Sequence, residues 1–393
     1  MRTMSPVPVV VLGEGVTALG VLRAFGRKGI PVHAPCSRKD PMRHSRFFRP
    51  LPGFVSADGR GLAADPAPLA EALQASGLER AVLCACSDHF CAAVAALPPA
   101  LDERFPRCMP ASATLDVLQD KGHFAELLAR IGVAHPFTRL VRRPGDVDDI
   151  DGSRELFLKP RDSQRFFKTF GVKAFRVASA ADARQRLGQT AAHDLEMVLQ
   201  EYIPGSADNH YFVDGYRDRG GKVRVAFARR RLRIFPPDFG NSTAMVSIAP
   251  EEARQAIDDL DRLLAETGYL GIFSAEFKRD PRDGVYRILE VNTRPWWYVD
   301  FAVRSGADVC ELMYRDALGE PLPALPPYEV GSRCVYPYYD LHALKHLRGQ
   351  GMPYPWTRWA RELWGAKQPI FALDDPLPGI YSSLVTLGWL PKR

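Results

Sequence analysis

Residues 271–293 constrain the fold more than any other part of the chain. Gly271-Ile272-Phe273-Ser274-Ala275-Glu276-Phe277-Lys278 alternates apolar and polar residues, and Tyr286-Arg287-Ile288-Leu289-Glu290-Val291-Asn292 answers it across the turn Asp280-Pro281-Arg282-Asp283-Gly284. Side chains alternate along a strand, so Phe273, Ala275 and Phe277 are expected to face a core while Ser274, Glu276 and Lys278 face the other way. On the return strand Leu289 and Val291 are the core candidates, which leaves Glu290 and Asn292 on the opposite face. The short turn predicts an antiparallel hairpin over 271–279 and 285–293, with Glu276 and Glu290 as near-diagonal neighbours on one face. Two carboxylates that close repel each other unless a cation bridges them. The Asn292 amide oxygen adds a third hard donor, and such a set suits Mg²⁺ (or Mn²⁺), which keeps few protein ligands and shares the rest with substrate. The competing reading is a solvated sheet face with a Lys278 salt bridge.

The N-terminal third has a different rhythm. Val7-Pro8-Val9-Val10-Val11-Leu12 is a continuous apolar run, as in a strand buried on both faces, and Leu19, Leu22 and Phe25 carry helical spacing until Gly29. Further strand candidates at 30–34 and 81–85 extend this into parallel βαβ units, a Rossmann-like α/β region over residues 1–112. Gly13-Glu14-Gly15 lacks a correctly spaced third glycine, and no acidic residue ends the second strand, so a tight turn is favoured over a dinucleotide site. The helix N-terminus after that turn is kept as a candidate seat for an anionic substrate.

Beyond residue 112 a helix is expected from Ser112 to about Ile131, carrying Asp120-Lys121. A strand Leu156-Phe157-Leu158-Lys159 follows, then a bulky polar and aromatic loop over 161–171, and a strand from Met197 to Ile203. Two antiparallel strands are expected over 207–218 and 222–235, and a helix over 251–267. Arg229, Arg231 and Arg233 fall on one face of their strand. Trp356, Trp359 and Leu363 share a helical face in an aromatic-rich tail, where packing against the body is the favoured role.

Together, in this order, these segments resemble the ATP-grasp superfamily, in particular its carboxylate–amine ligases such as the D-aspartate ligase-like group. Glu276…Glu290-Val291-Asn292-Thr293-Arg294 is similar to the family's metal-binding signature, and the resemblance spans roughly 115–320. It implies an α/β (α+β) chain, an ATP-grasp fold preceded by a parallel α/β domain. The implied division is a pre-ATP-grasp domain at 1–112, a small-lobe region at 113–195, a lobe with the metal site at 196–325 and an extension at 326–393. It further implies that Lys121 and Lys159 meet ATP phosphates. The backbone of Gln200, Glu201, Tyr202 and Ile203 would pair with adenine, and Asp208 would hold the ribose. Mg²⁺ would sit on Glu276, Glu290 and Asn292. Arg294, with Arg231 and Arg233, would bind the γ-phosphate and a substrate carboxylate, where guanidinium suits bidentate contact. The family's glycine-rich phosphate loop is missing: Gly171 is the single glycine of 161–171, so phosphate contact is expected to rest on Ser163 and cationic side chains.

Composition supports these readings at two points. Lysine is scarce, eleven against forty-one arginines, which makes Lys121 and Lys159 stand out. A net charge of +6 suits anionic ligands without indicating nucleic acid. Seven irregularly spaced cysteines suggest buried thiols rather than a disulfide framework, and no apolar run is long enough to span a bilayer, so a cytoplasmic protein is expected. The function implied is ATP- and Mg²⁺-dependent coupling of a carboxylate to an amine. The alternatives are an ATP-grasp enzyme with another acceptor (carboxylation or phosphotransfer) and a non-catalytic nucleotide-binding protein; a homodimer is left open. The absence of a Gly-x-x-x-x-Gly-Lys-Ser/Thr motif disfavours a P-loop kinase.

Overall fold

The computed structural model describes residues 5–54, 61–150, 154–161, 163–172, 174–237, 240–352 and 354–389, without the side chains of Ser163, Gln164 and Phe167. Three sheets organise it. The first is parallel, in the order Phe48–Pro50, Val32–Ala34, Val9–Leu12, Val82–Ala85. Val9 and Val11 pack with Leu19 and Phe25 on one side, while Val10 and Leu12 pack with Leu69, Leu73 and Phe90 on the other. An apolar run without alternation is what two covered faces require.

At the turn that follows, the expected anion seat is already filled from within the chain. The Gly15 N–H donates to the Asp40 carboxylate (2.7 Å) and the Ser37 N–H donates to Glu14 (2.5 Å). The positive φ values of Gly13 and Gly15 explain the glycines as turn residues.

The second sheet is antiparallel: Thr138–Val141, Met197–Glu201, Leu156–Pro160, Phe175–Val177. The third has six strands, Tyr286–Asn292, Gly271–Arg279, His210–Arg217, Val223–Phe235, Asn241–Ser247 and Arg333–Val335. Its outer face buries Phe273, Ala275 and Phe277 against Leu260, Leu263 and Leu264 of the helix Arg254–Glu266. The helix expected from Ser112 onward is two helices, Ser112–Gln119 and Lys121–Arg130. Asp120 breaks it, because its carboxylate accepts the Gly122 and His123 N–H groups (2.9 Å each) as an N-cap. The expected loop over 161–171 contains the helix Ser163–Phe170.

The hairpin forms as expected, with one correction to its phase. Glu276 pairs directly with Glu290, but the next pair is Phe277 with Ile288, so Leu289 is the extra residue of a bulge. Ile288 and Val291 therefore enter the core, while Leu289 is half-buried at the cleft.

Gly271 opens the hairpin at φ +107°, where a Cβ would stand 2.8 Å from the Cys108 carbonyl oxygen. Gly271→Ala is expected to cost about 2 kcal/mol, from backbone strain and this clash with main chain. Urea denaturation would show a lower midpoint at an unchanged slope.

Candidate active site

A cleft of about 1690 Å³ opens between the second and third sheets, and all the metal, lysine and arginine candidates line it. Its floor is the hairpin. Residues paired across an antiparallel ladder have Cβ atoms roughly 4.5–5.5 Å apart, so the Glu276–Glu290 register places two carboxylates side by side. Their environments differ. Burial works against the charge of Glu276, but Arg231 (3.1 Å) and His210 (2.7 Å) hold its carboxyl below the usual range. Glu290 is pushed the other way, by enclosure between the cleft walls and by the neighbouring Glu276 charge, only partly offset by Lys159. Its side chain is nonetheless open to cleft water.

Asn292 stands opposite Ser274 and completes the set. Its amide nitrogen faces Glu290 (3.5 Å), and its oxygen accepts from Arg294 (3.1 Å). Amide orientation follows the hydrogen-bond network, so a cation at Glu290 would favour turning the oxygen toward it. One well-held carboxylate, one carboxylate destabilised by its neighbour and a rotatable amide fit a hard divalent cation.

Lys159 ends a strand of the second sheet and donates to the Gln200 side chain (2.6 Å). Burial pulls its ammonium down, and the Glu290 charge resists that. Lys121 is the first residue of its helix and donates to the Pro160 carbonyl (2.8 Å). Arg161 ties the two elements together through Asp120 and Glu196. Both lysines thus reach the cleft from rigid elements, near each other and near the hairpin carboxylates.

Residues 200–203 divide by their existing bonds. The N–H groups of Glu201 and Tyr202 already donate to the carbonyls of Phe137 and Glu155. Among the described residues, the Ile203 N–H has no backbone acceptor. The Glu201 carboxylate accepts from Arg282 (2.7 Å), and Gln200 holds Lys159 and Thr138. Asp208 is exposed at the cleft edge, oriented by Ser206. The Ser163 side chain lies outside the described residues.

The three arginines part company. Arg231 is buried between Glu276 and Ser242 and faces the metal candidates. Arg294 forks onto Asp88 of the N-terminal region (2.8 and 3.1 Å) while touching Asn292. Arg233 is fully engaged elsewhere, bidentate to Asp340 (2.8 Å each) and paired with Glu362 (2.8 Å).

Several participants were not singled out from sequence. His210 meets Glu276, and Asp214 neutralises Arg229 beneath the cleft (2.5 Å). The helix Pro337–Gly349 supplies a wall through Ala343, His346 and Leu347. Strand alternation from Asp208 onward would have put His210 and Phe212 on one face, but nothing local says that face meets Glu276.

No family model matches the sequence. Among curated proteins, the chain is 24% identical over 329 residues to a D-aspartate ligase from Enterococcus faecium, covering 78% of this chain and 76% of that one. Among solved structures it resembles the ADP complex of an N5-carboxyaminoimidazole ribonucleotide synthetase, with TM-score 0.61 and 15% identity, over 84% of this chain and 82% of the other. An L-amino acid ligase from Bacillus licheniformis superposes with TM-score 0.56 at 14% identity, over 80% of this chain and 75% of that one. The curated relatives and the structural neighbours all point to the ATP-grasp superfamily, whose fold the three-sheet architecture shares.

Proposed function

We propose that the chain is an ATP- and Mg²⁺-dependent, ADP-forming ligase that joins a carboxylate to an amine, with an amino acid among its substrates. The observation that carries this reading is the direct pairing of Glu276 with Glu290, facing Lys159 and Arg231 across one cleft. The likeness in sequence to a D-aspartate ligase, over three quarters of both chains, favours amide formation over carboxylation.

A carboxylate is a poor electrophile because its leaving group would be oxide. Transfer of the γ-phosphoryl group to a carboxylate oxygen gives an acyl phosphate and ADP. The amine nitrogen then attacks the carbonyl carbon, the bond to phosphate breaks, and phosphate leaves with the amine's surplus proton lost to solvent. The protein's task is to hold two anions in line and to neutralise charge on the transferring group. Lys121 and Lys159 would anchor the nucleotide phosphates, the Ile203 N–H would meet adenine, and Asp208 the ribose. Glu276, Glu290 and Asn292 would hold Mg²⁺, which when bound neutralises phosphate charge. Arg231 and Arg294 flank that position and would orient the γ-phosphate and the substrate carboxylate. Arg233 is left to its structural pairs.

A matrix of carboxylic and amino acids against amines, read by ADP release and product mass, tests the proposal. The expected result is ADP and phosphate release that needs both substrates, with a product equal to their sum less one water. ADP release that needs only bicarbonate and a single acceptor would point to carboxylation, and none with any pair to a non-catalytic protein.

A further inference from the structure

Ser163–Phe170 occupies the place where the resemblance implies a glycine-rich phosphate loop, yet it is a helix. One face is fixed to the second sheet. Phe166 is fully buried, with Phe170 and Phe175 rings at 4.9 and 5.1 Å, and Phe170 meets His193 at 5.4 Å. Arg165 extends this anchor by donating to the carbonyls of His193 (2.7 Å) and Asp194 (3.2 Å). Backbone N–H groups inside a helix are spent on its own carbonyls, apart from the first turn, so beyond that turn this segment offers phosphate no free amides. Recognition passes to side chains.

Lys168 lies one turn beyond Arg165 and lines the cleft. It is exposed, and among the described residues it is the one cleft lysine or arginine whose side chain has no partner. The other cations of the cleft already have a partner within the chain that a ligand would have to share or displace: Lys159 the Gln200 amide, Arg161 Asp120, Arg229 Asp214, Arg231 Glu276, Arg294 Asp88. An exposed ammonium with no partner within the described chain is available to an anionic ligand that enters the cleft.

We propose that Lys168 is a phosphate-binding residue that engages the terminal phosphates of a nucleoside triphosphate, replacing the amide nest with a helix-borne point charge. This rests on the nucleotide reading above. Lysine suits the role as a compact charge on a flexible stem, able to follow a phosphoryl group without bidentate geometry.

Isothermal titration of the full chain with MgATP, MgADP and adenosine, for the parent, Lys168→Met and Lys168→Arg, tests it. Lys168→Met is expected to weaken MgATP by about tenfold or more, the scale of one charge-assisted hydrogen bond. MgADP should weaken less, adenosine should be unchanged, and Lys168→Arg should recover much of the loss. Equal MgATP affinity in Lys168→Met and the parent would overturn the assignment, as would an equal loss for adenosine, which marks a structural effect. A parent chain that fails to bind MgATP would instead overturn the nucleotide reading, and this inference with it.

Discussion

Replacing Glu290 with alanine is expected to lower ADP release by about 10²–10³-fold or more, the scale seen when one electrostatic contact to a transition state is lost, without destabilising the protein. The two halves of this expectation have one cause. Glu290 lies beside Glu276 on the paired strands, and its carboxyl is raised by enclosure and by that neighbour. A carboxyl raised in the folded state favours folding while protonated, and that contribution is lost as pH rises through its folded value. At neutral pH and without a divalent ion, the Glu290 charge therefore works against the fold. Glu290→Ala or Glu290→Gln should melt at or slightly above the parent in chelator, and should lose most of the stabilisation that MgCl₂ with ATP gives the parent. Thermal melts in the two buffers, with ADP assays alongside, check both halves. Near-normal turnover would remove Glu290 from the metal set. Glu276 is the opposite case: against its burial, Arg231 and His210 hold its carboxyl below the usual range and so favour its charge, and its loss strands a buried guanidinium.

The second large effect concerns stability. Arg233→Ala is expected to cost about 3–5 kcal/mol, because it leaves buried carboxylates without their counter-charge. Asp340 is fully buried and accepts from Arg233, Thr243 (2.6 Å) and Trp359 (2.9 Å). Glu362 accepts from Arg233 and Tyr354 (2.5 Å). Burial works against the charge of Arg233, but these two carboxylates outweigh it and hold the guanidinium firmly protonated. The network pins the tail helices Pro337–Gly349 and Trp356–Leu363 to the central strand Val223–Phe235, and so fixes one wall of the cleft. Arg233→Met combined with Asp340→Asn and Glu362→Gln should recover much of the loss, since no charge is then stranded. A single Arg233→Ala variant with a urea midpoint close to the parent would contradict this role. Arg231→Ala should behave differently, with its main effect on turnover.

These two arginines show what sequence can and cannot carry. Alternation places Arg229, Arg231 and Arg233 on one face of a strand; all three are buried along the cleft, although the pairing shifts register on both sides of Arg233. What each one meets depends on long-range partners: Asp214 on the adjoining strand, Glu276 two strands away, and Asp340 in a tail more than a hundred residues on. Strand order in the central sheet is not sequential, so the meeting of His210 with Glu276 has no local signal. The hairpin is the reverse case. Its period-2 pattern and five-residue turn put Glu276 and Glu290 on one face as diagonal neighbours, and it is the bulge at Leu289 that makes them a direct pair. Asp120 broke a helix whose apolar spacing ran on through it, because a carboxylate that can cap two N–H groups competes with helix continuation. The helix at 163–170 was hidden by a composition that looks like a loop, yet Phe166 and Phe170 stand at helical spacing and bury together.

The fate of the carboxylate oxygen tests the central claim most directly. With a carboxylate that supports amine-dependent ADP release, ¹⁸O-labelled in the acid, activation by phosphoryl transfer predicts that one labelled oxygen appears in each released phosphate. Amide formation with phosphate free of label would contradict it.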